Sequence, residues 1–298
     1  MVVKAEKIPH GGETVLGDSF IMVPGGKGAN QAVCAAKLGA DVTFIAKIGS
    51  DVFGEMSLEN FRKVGIDTNY VSKDPSTPSG VALITVDHQA ENAIVVAPGA
   101  NGTLSPEDVD RAKDVIASAD AVLLQFEIPM ETVAHTINLA NSLGKRVVLN
   151  PAPIRPFPSD VLCKADVLVP NQHEAAQLLG KAGTGASLDP ESAARQLQEL
   201  GVDSVVITLG SKGAYIAGEG VSEFIEPITV RAVDTTAAGD AFTASLTLGL
   251  AEGLDIVSAA RFAAKVAAIS VTRMGAQSSL PTREEVESDT FGAIRASE

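Results

Sequence analysis

The chain has 298 residues, 45% of them apolar, and carries a formal net charge of −14 at pH 7. That length allows one large domain or two small ones with a sizeable core, while the acidity argues against a nucleic-acid backbone or an anionic membrane as partner. The two cysteines, Cys34 and Cys163, lie far apart and argue against a disulfide framework or a zinc site, and no apolar run reaches membrane-spanning length.

The first segment alternates through Val2, Val3, Ala5 and Ile8, and residues 11–17 and 20–23 read as a turn and strands. Pro24-Gly-Gly-Lys-Gly-Ala-Asn30 is a glycine-rich turn presenting Lys27 and Asn30. It opens a helix over 31–38 with Gly39 as its C-cap. The turn lacks the Gly-Lys-Ser/Thr ending of a Walker A loop. Residues 41–48 read as a strand and 54–64 as a helix. Residues 80–86 and 92–97, joined by a polar turn, read as a β-hairpin. With roughly the first 23 residues they are expected to form a small separate sheet, a lid on a single domain spanning 1–298. Ser105 with Pro106 marks a helix start.

From there strands and helices alternate. Strands are expected at 121–126, 146–150, 166–169 and 204–209, and helices at 130–143, 174–179 and 190–200, with a glycine-rich loop at 181–188. Short strands at 215–217 and 222–225, an extended stretch at 227–232, and helices at 243–250 and 255–272 complete the chain. Such alternation implies right-handed crossovers and a doubly wound, mostly parallel sheet flanked by helices. Ligands bind such sheets beyond the carboxyl ends of the strands. Glu127, Asn150, Asn171, Glu174, Thr208, Gly210 and Asp234 all stand at those ends. Singly, each also reads as a turn or cap residue; jointly they outline one rim.

Val233-Asp-Thr-Thr-Ala-Ala-Gly-Asp-Ala-Phe242 is the stretch with most chemistry in it. Its small residues let a turn approach a ligand closely. The turn opens a helix, whose free N–H groups and dipole favour an anion. Asp240 at that place suits phosphoryl transfer, as the acceptor of a proton from the attacking hydroxyl. Its alternative role is that of a helix cap.

Four stretches together resemble the PfkB carbohydrate kinase family: Pro24-Gly-Gly-Lys-Gly-Ala-Asn-Gln-Ala32, Val169-Pro-Asn-Gln-His-Glu174, Thr208-Leu-Gly-Ser-Lys-Gly213, and the stretch ending at Phe242. Thr236-Ala-Ala-Gly, Gly12-Glu-Thr-Val, Asn150-Pro-Ala-Pro and Arg273-Met-Gly-Ala-Gln resemble its ribose-phosphorylating members in particular. The resemblance runs from about Ile8 to about Pro281. It implies ATP-dependent phosphorylation of ribose at the 5-hydroxyl, with another sugar or nucleoside as the alternative acceptor. A protein that binds these ligands without turnover is a further alternative.

The resemblance implies Asp240 as catalytic base, with the amides of Ala237, Ala238 and Gly239 as the anion hole. Gly26, Lys27, Asn30 and Glu127 would hold the sugar; Asn171, Thr208, Gly210, Gly213 and Gly239 would bind ATP. Glu174 would order water on magnesium. Asp234, Thr236, Ser270, Arg273, Gly275 and Ser279 would surround an activating potassium ion. A homodimer formed through the lid and a cytoplasmic or organellar location are expected. The family's leading strand, ending in Gly-Ser-x-Asn-x-Asp, is not found before Val2, so a truncated start with weakened sugar binding is expected.

Overall fold

Strict alternation of buried side chains builds the central sheet. Val147, Leu149, Leu168, Val205 and Ile207 pack into one core cluster, while Val148, Val167, Val169 and Val206 pack into another. Successive strand residues point to opposite faces, so both faces of this sheet are covered. A computed structural model describes residues 1–89, 91–181, 188–218 and 220–288. Its six-stranded sheet comprises β7 (Ala121–Leu124), β8 (Arg146–Leu149), β9 (Val167–Leu168), β10 (Ser204–Thr208), β11 (Ala214–Gly218) and β12 (Val221–Ile225), side by side in that order. The first four strands run parallel; β11 and β12 continue as antiparallel hairpins.

Helices α5 (Met130–Ser142), α7 (Gln172–Leu178) and α8 (Pro190–Glu199) cover one face. Helices α9 (Ala238–Ala251) and α10 (Ile256–Ser270) cover the other. The rear of α9 packs on α1 (Lys27–Lys37) and α2 (Val52–Lys63) through Val33, Leu38, Phe61, Ala244 and Leu248. Each fully buried aliphatic side chain there contributes about 1.5–3 kcal/mol. Among the described residues no helix is long and apolar enough to cross a membrane.

A second sheet stands apart. Strands β1 (Val2–Ala5), β2 (Gly17–Ile21), β5 (Val81–Val86) and β6 (Asn92–Ala97) pair in the order β2-β1-β5-β6. Its base is tight. A Cβ on Gly80 would lie 2.6 Å from the Pro98 carbonyl oxygen, and one on Gly49 would lie 2.3 Å from the Ser79 amide nitrogen. Only glycine permits such backbone contact.

Three segments differ from the sequence reading. The strand expected over 41–48 pairs only over β3 (Ala46–Gly49), apart from an isolated bridge between Thr43 and Asp67. Its partner β4 (Val71–Asp74) lies in a polar, Pro- and Ser-flanked stretch that gave no apolar signal. Residues 227–232 form no strand, consistent with Pro227 having no N–H to donate to a ladder. Most of the loop read at 181–188 falls on 182–187, outside the described residues. Ser105 does cap α3 (Pro106–Asp110), through a reciprocal pair of bonds with Asp108.

Candidate active site

The chain enters α9 through Ala237, whose φ of 61° is the one positive value among described non-glycine residues. A left-handed conformation costs a residue with a Cβ about 1–2 kcal/mol. Beyond that kink the N–H groups of Ala237, Gly239 and Asp240 have no backbone partner among the described residues. The Ala238 N–H donates instead to the Thr235 carbonyl at 3.2 Å. A Cβ built on Gly239 would meet nothing within 4 Å, so the space above it is open. Free amides at a helix start form an anion site by partial charge and geometry.

Asp240 is buried, and it does not cap its own helix. The N-cap position is Ala237, and the Asp240 carboxylate reaches across to α1. Its Oδ2 accepts from Asn30 Nδ2 at 2.8 Å, and its Oδ1 accepts from Gln31 Nε2 at 3.1 Å. Gln31 also donates to Asn150 Oδ1 at 3.2 Å, and its own oxygen accepts from Gln125. Burial raises the Asp240 pKa above the ordinary carboxylate range, while Lys27 and the two amides partly offset it. A carboxylate so placed is a competent proton acceptor.

Lys27 opens α1 immediately after Gly26, which holds φ 93°. The Lys27 N–H donates to Glu127 Oε2 at 2.7 Å, joining the glycine-rich turn to the carboxyl end of β7. Burial raises the Glu127 pKa, opposed by the Lys27 backbone bond and charge. Gly26, Lys27, Asn30, Glu127 and Asp240 are thus gathered into one group, of which Lys27 and Asp240 line the cleft.

The other end is built from the start of α7. Asn171 and Glu174 form a reciprocal cap: Asn171 N–H donates to Glu174 Oε2, and Glu174 N–H donates to Asn171 Oδ1, each at 2.8 Å. The capping reading therefore holds for this pair, yet it leaves the Asn171 NH2 and the second Glu174 oxygen free of partners among the described residues. Both residues line the cleft with Thr208 and Gly239, around about 310 Å³ of open space. Burial raises the Glu174 pKa above the usual range. Gly210 and Gly213 belong to the turn after β10 and do not line that cleft. Gly213 is glycine because a Cβ would come within 2.0 Å of the Ile225 carbonyl oxygen.

Behind the α9 turn, Asp234 gathers a third group. Its Oδ1 accepts from the Thr236 N–H at 2.9 Å and from the Thr236 hydroxyl at 2.6 Å; its Oδ2 accepts from Gly275 N–H at 2.8 Å. Although burial pushes its pKa up, these bonds hold it below the ordinary value. Ser270 and Arg273 lie at and just beyond the end of α10, where helix carbonyls carry negative partial charge. The Arg273 guanidinium turns away to Glu285, at 2.8 and 3.1 Å, and the Ser279 hydroxyl donates to the Ala276 carbonyl. Carboxylate, hydroxyl and carbonyl oxygens are donors that suit a hard cation.

Gln31 and Gln125 do not stand out in the sequence as site residues. A neutral amide carries no titration signal, and only the fold brings α1 and the end of β7 to Asp240.

A family profile described as pfkB family carbohydrate kinase matches residues 1–283. The chain is 42% identical over 287 residues to a ribokinase of Bacillus subtilis, covering 96% of this chain and 94% of that one. It is 39% identical over 290 residues to a deoxyribokinase of Salmonella typhi, covering 96% and 93%. Among solved structures, a ribokinase of Arabidopsis thaliana complexed with ribose and ATP superposes with a TM-score of 0.87 at 32% identity, covering 96% of this chain and 93% of that one.

Proposed function

The chain belongs to the PfkB family of carbohydrate kinases, and from that membership we propose that it transfers the terminal phosphoryl group of ATP to the 5-hydroxyl of ribose. The observation that carries this reading is the buried Asp240 carboxylate beside the free amides of Ala237 and Gly239 at the start of α9. Asp240 takes the proton from the sugar hydroxyl as the oxygen attacks phosphorus. Its raised proton affinity favours that transfer, and the nearby Lys27 charge partly offsets the effect of burial. The unpaired amides face the charge on the equatorial phosphoryl oxygens; such preorganised donors supply much of the rate in this class of reaction.

Gly26, Lys27, Asn30 and Glu127 hold the sugar hydroxyls, Asn171, Thr208 and Gly239 hold the phosphate end of the nucleotide in the cleft, and Gly210 and Gly213 meet the rest of it outside the cleft, in the turn after β10. The free oxygen of Glu174 and the cleft beside it suit magnesium carried in with ATP, which would neutralise phosphate charge. The oxygen donors around Asp234, with Thr236, Ser270, Gly275, Ser279 and the Arg273 carbonyl, suit a potassium ion that would steady the α9 turn. The four-stranded sheet closes over the sugar as a lid and joins two copies into a homodimer, in the cytoplasm.

A coupled assay of ADP release with ribose, deoxyribose, fructose and adenosine tests the reading. Ribose is expected to give the highest kcat/KM, and Asp240→Ala is expected to lose on the order of 10²–10⁴-fold in kcat with ATP affinity nearly intact. No turnover above background in a folded sample, or a variant retaining half the activity, removes the reading.

A further inference from the structure

Asn30 bonds to more than Asp240. Its Oδ1 accepts from Gln277 Nε2 at 3.2 Å, and Gln277 Oε1 accepts from Asn60 Nδ2 at 2.7 Å. Asn30 and Gln277 are buried, and Asn60 is half-buried near the end of α2. The three amides therefore run as one line from a surface helix to the carboxylate.

The direction of that line follows from its inner end. An ionised carboxylate only accepts hydrogen bonds. Asn30 must present its NH2 to Asp240, so its oxygen faces Gln277. Gln277 must then present its NH2 inward and its oxygen outward, and Asn60 must donate. Every link points its donor toward Asp240, and each amide orientation depends on the next. The outer link is held rigidly. Leu58 and Phe61 on α2 are buried, and Asp51 at its start accepts from Gly54 N–H and from both the N–H and hydroxyl of Ser79.

We infer that Asn60 and Gln277 are positioning residues, which through this one-way chain fix the Asn30 amide that meets the catalytic carboxylate. The inference rests on the kinase reading only for its effect on rate. The charged and titratable groups facing Asp240 are Lys27 and Cys34 on α1, Glu127 after β7 and Glu174 on α7. None of them touches Asn60 or Gln277 by a side-chain bond among the described residues, so the chain can be perturbed apart from them.

Asn60→Asp reverses the chain with a single change of atom type. An acceptor at residue 60 turns Gln277 around, Gln277 turns Asn30 around, and the Asn30 oxygen is brought against Asp240. The Asp240 carboxyl, titrated by 13C NMR without substrate, is expected to shift upward by about one unit, a tenfold change in proton affinity. With ribose, kcat is expected to fall about tenfold with KM for ATP unchanged, because the carboxylate loses the Asn30 bond that aims it at the sugar hydroxyl. The added charge acts through space as well, so the same change is made in a Gln277→Met background, where the chain is already cut. There Asn60→Asp is expected to add only the through-space part, a shift well below that in the intact chain.

No shift with Asn60→Asp, or an equal shift in both backgrounds, overturns the inference. Should Asn60→Asp fail to fold, Gln277→Met alone decides it: an unchanged Asp240 titration overturns the chain, and an upward shift supports it. If the unaltered protein does not turn over ribose, the kinase reading falls and the titration still decides the chain.

Discussion

At Asp240, burial raises the proton affinity that Lys27, Asn30 and Gln31 lower, and burial prevails. The sign of its pH effect follows. The folded protein holds this proton at a pH where the unfolded chain has released it, so the contribution to stability is greatest below the ordinary carboxylate range. It is lost as pH rises through the elevated folded value. Asp240→Asn removes that dependence. The melting temperature of the unaltered protein, relative to Asp240→Asn, is therefore expected to rise as pH is lowered through that window, measured by calorimetry. A constant difference across the window would show that Asp240 is not raised. Glu174 has two duties that one substitution separates. Glutamine keeps the capping geometry and drops the charge, so Glu174→Gln should leave the melting temperature near its original value while raising the magnesium concentration needed for half-maximal rate. A lowered melting temperature with an unchanged magnesium requirement would reduce Glu174 to a cap.

At the scale of elements, the start of α9 concentrates strain and function in one turn. Ala237 sits in a conformation that disfavours β-branched residues. Ala237→Val is expected to cost about 1–3 kcal/mol, read as a fall in the urea midpoint, and to lower kcat by displacing the amides. Ala237→Gly should raise the midpoint or leave it unchanged; a loss with glycine comparable to that with valine would mean the strain is not what matters. This turn was legible as a glycine-rich helix start, because small residues followed by an apolar helix carry a local signature. Strands β7, β8 and β10 were legible as short apolar runs, and Asn171 and Glu174 singly as turn or cap residues at a strand end. The amides around Asp240 were not: Gln31, Asn60, Gln125 and Gln277 are brought together by packing between α1, α2, the end of β7 and the loop after α10. Nor was β4, whose Ser72, Lys73 and Asp74 pair with β3 without an apolar face.

For the molecule as a whole, the small sheet is left bare. Ile94, Val95 and Val96 on β6 are 53, 66 and 60% exposed. Neighbouring strand residues point to opposite faces, so neither side of this edge strand is covered. Leu16 and Phe20 add to the apolar surface. Exposed apolar patches of this kind mark association surfaces, and β6 is also an open edge. Sedimentation is expected to find a dimer at micromolar concentration, with Val95→Lys shifting it to monomer while the melting temperature of the remainder changes little. A monomeric unaltered protein would remove the proposed dimer.

The charge of the cleft lining has a kinetic consequence. Among the described residues Lys27 is the one cationic side chain lining it, against Asp240 and Glu174, on a protein of net charge −14. An approaching polyphosphate is repelled until it comes within about one screening length, roughly 10 Å at 0.1 M salt. Only then do amide dipoles and the single lysine outweigh the repulsion. Capture of nucleotide is therefore unsteered, and its bimolecular rate constant should grow with ionic strength, the reverse of an enzyme that draws its substrate in through an attractive field.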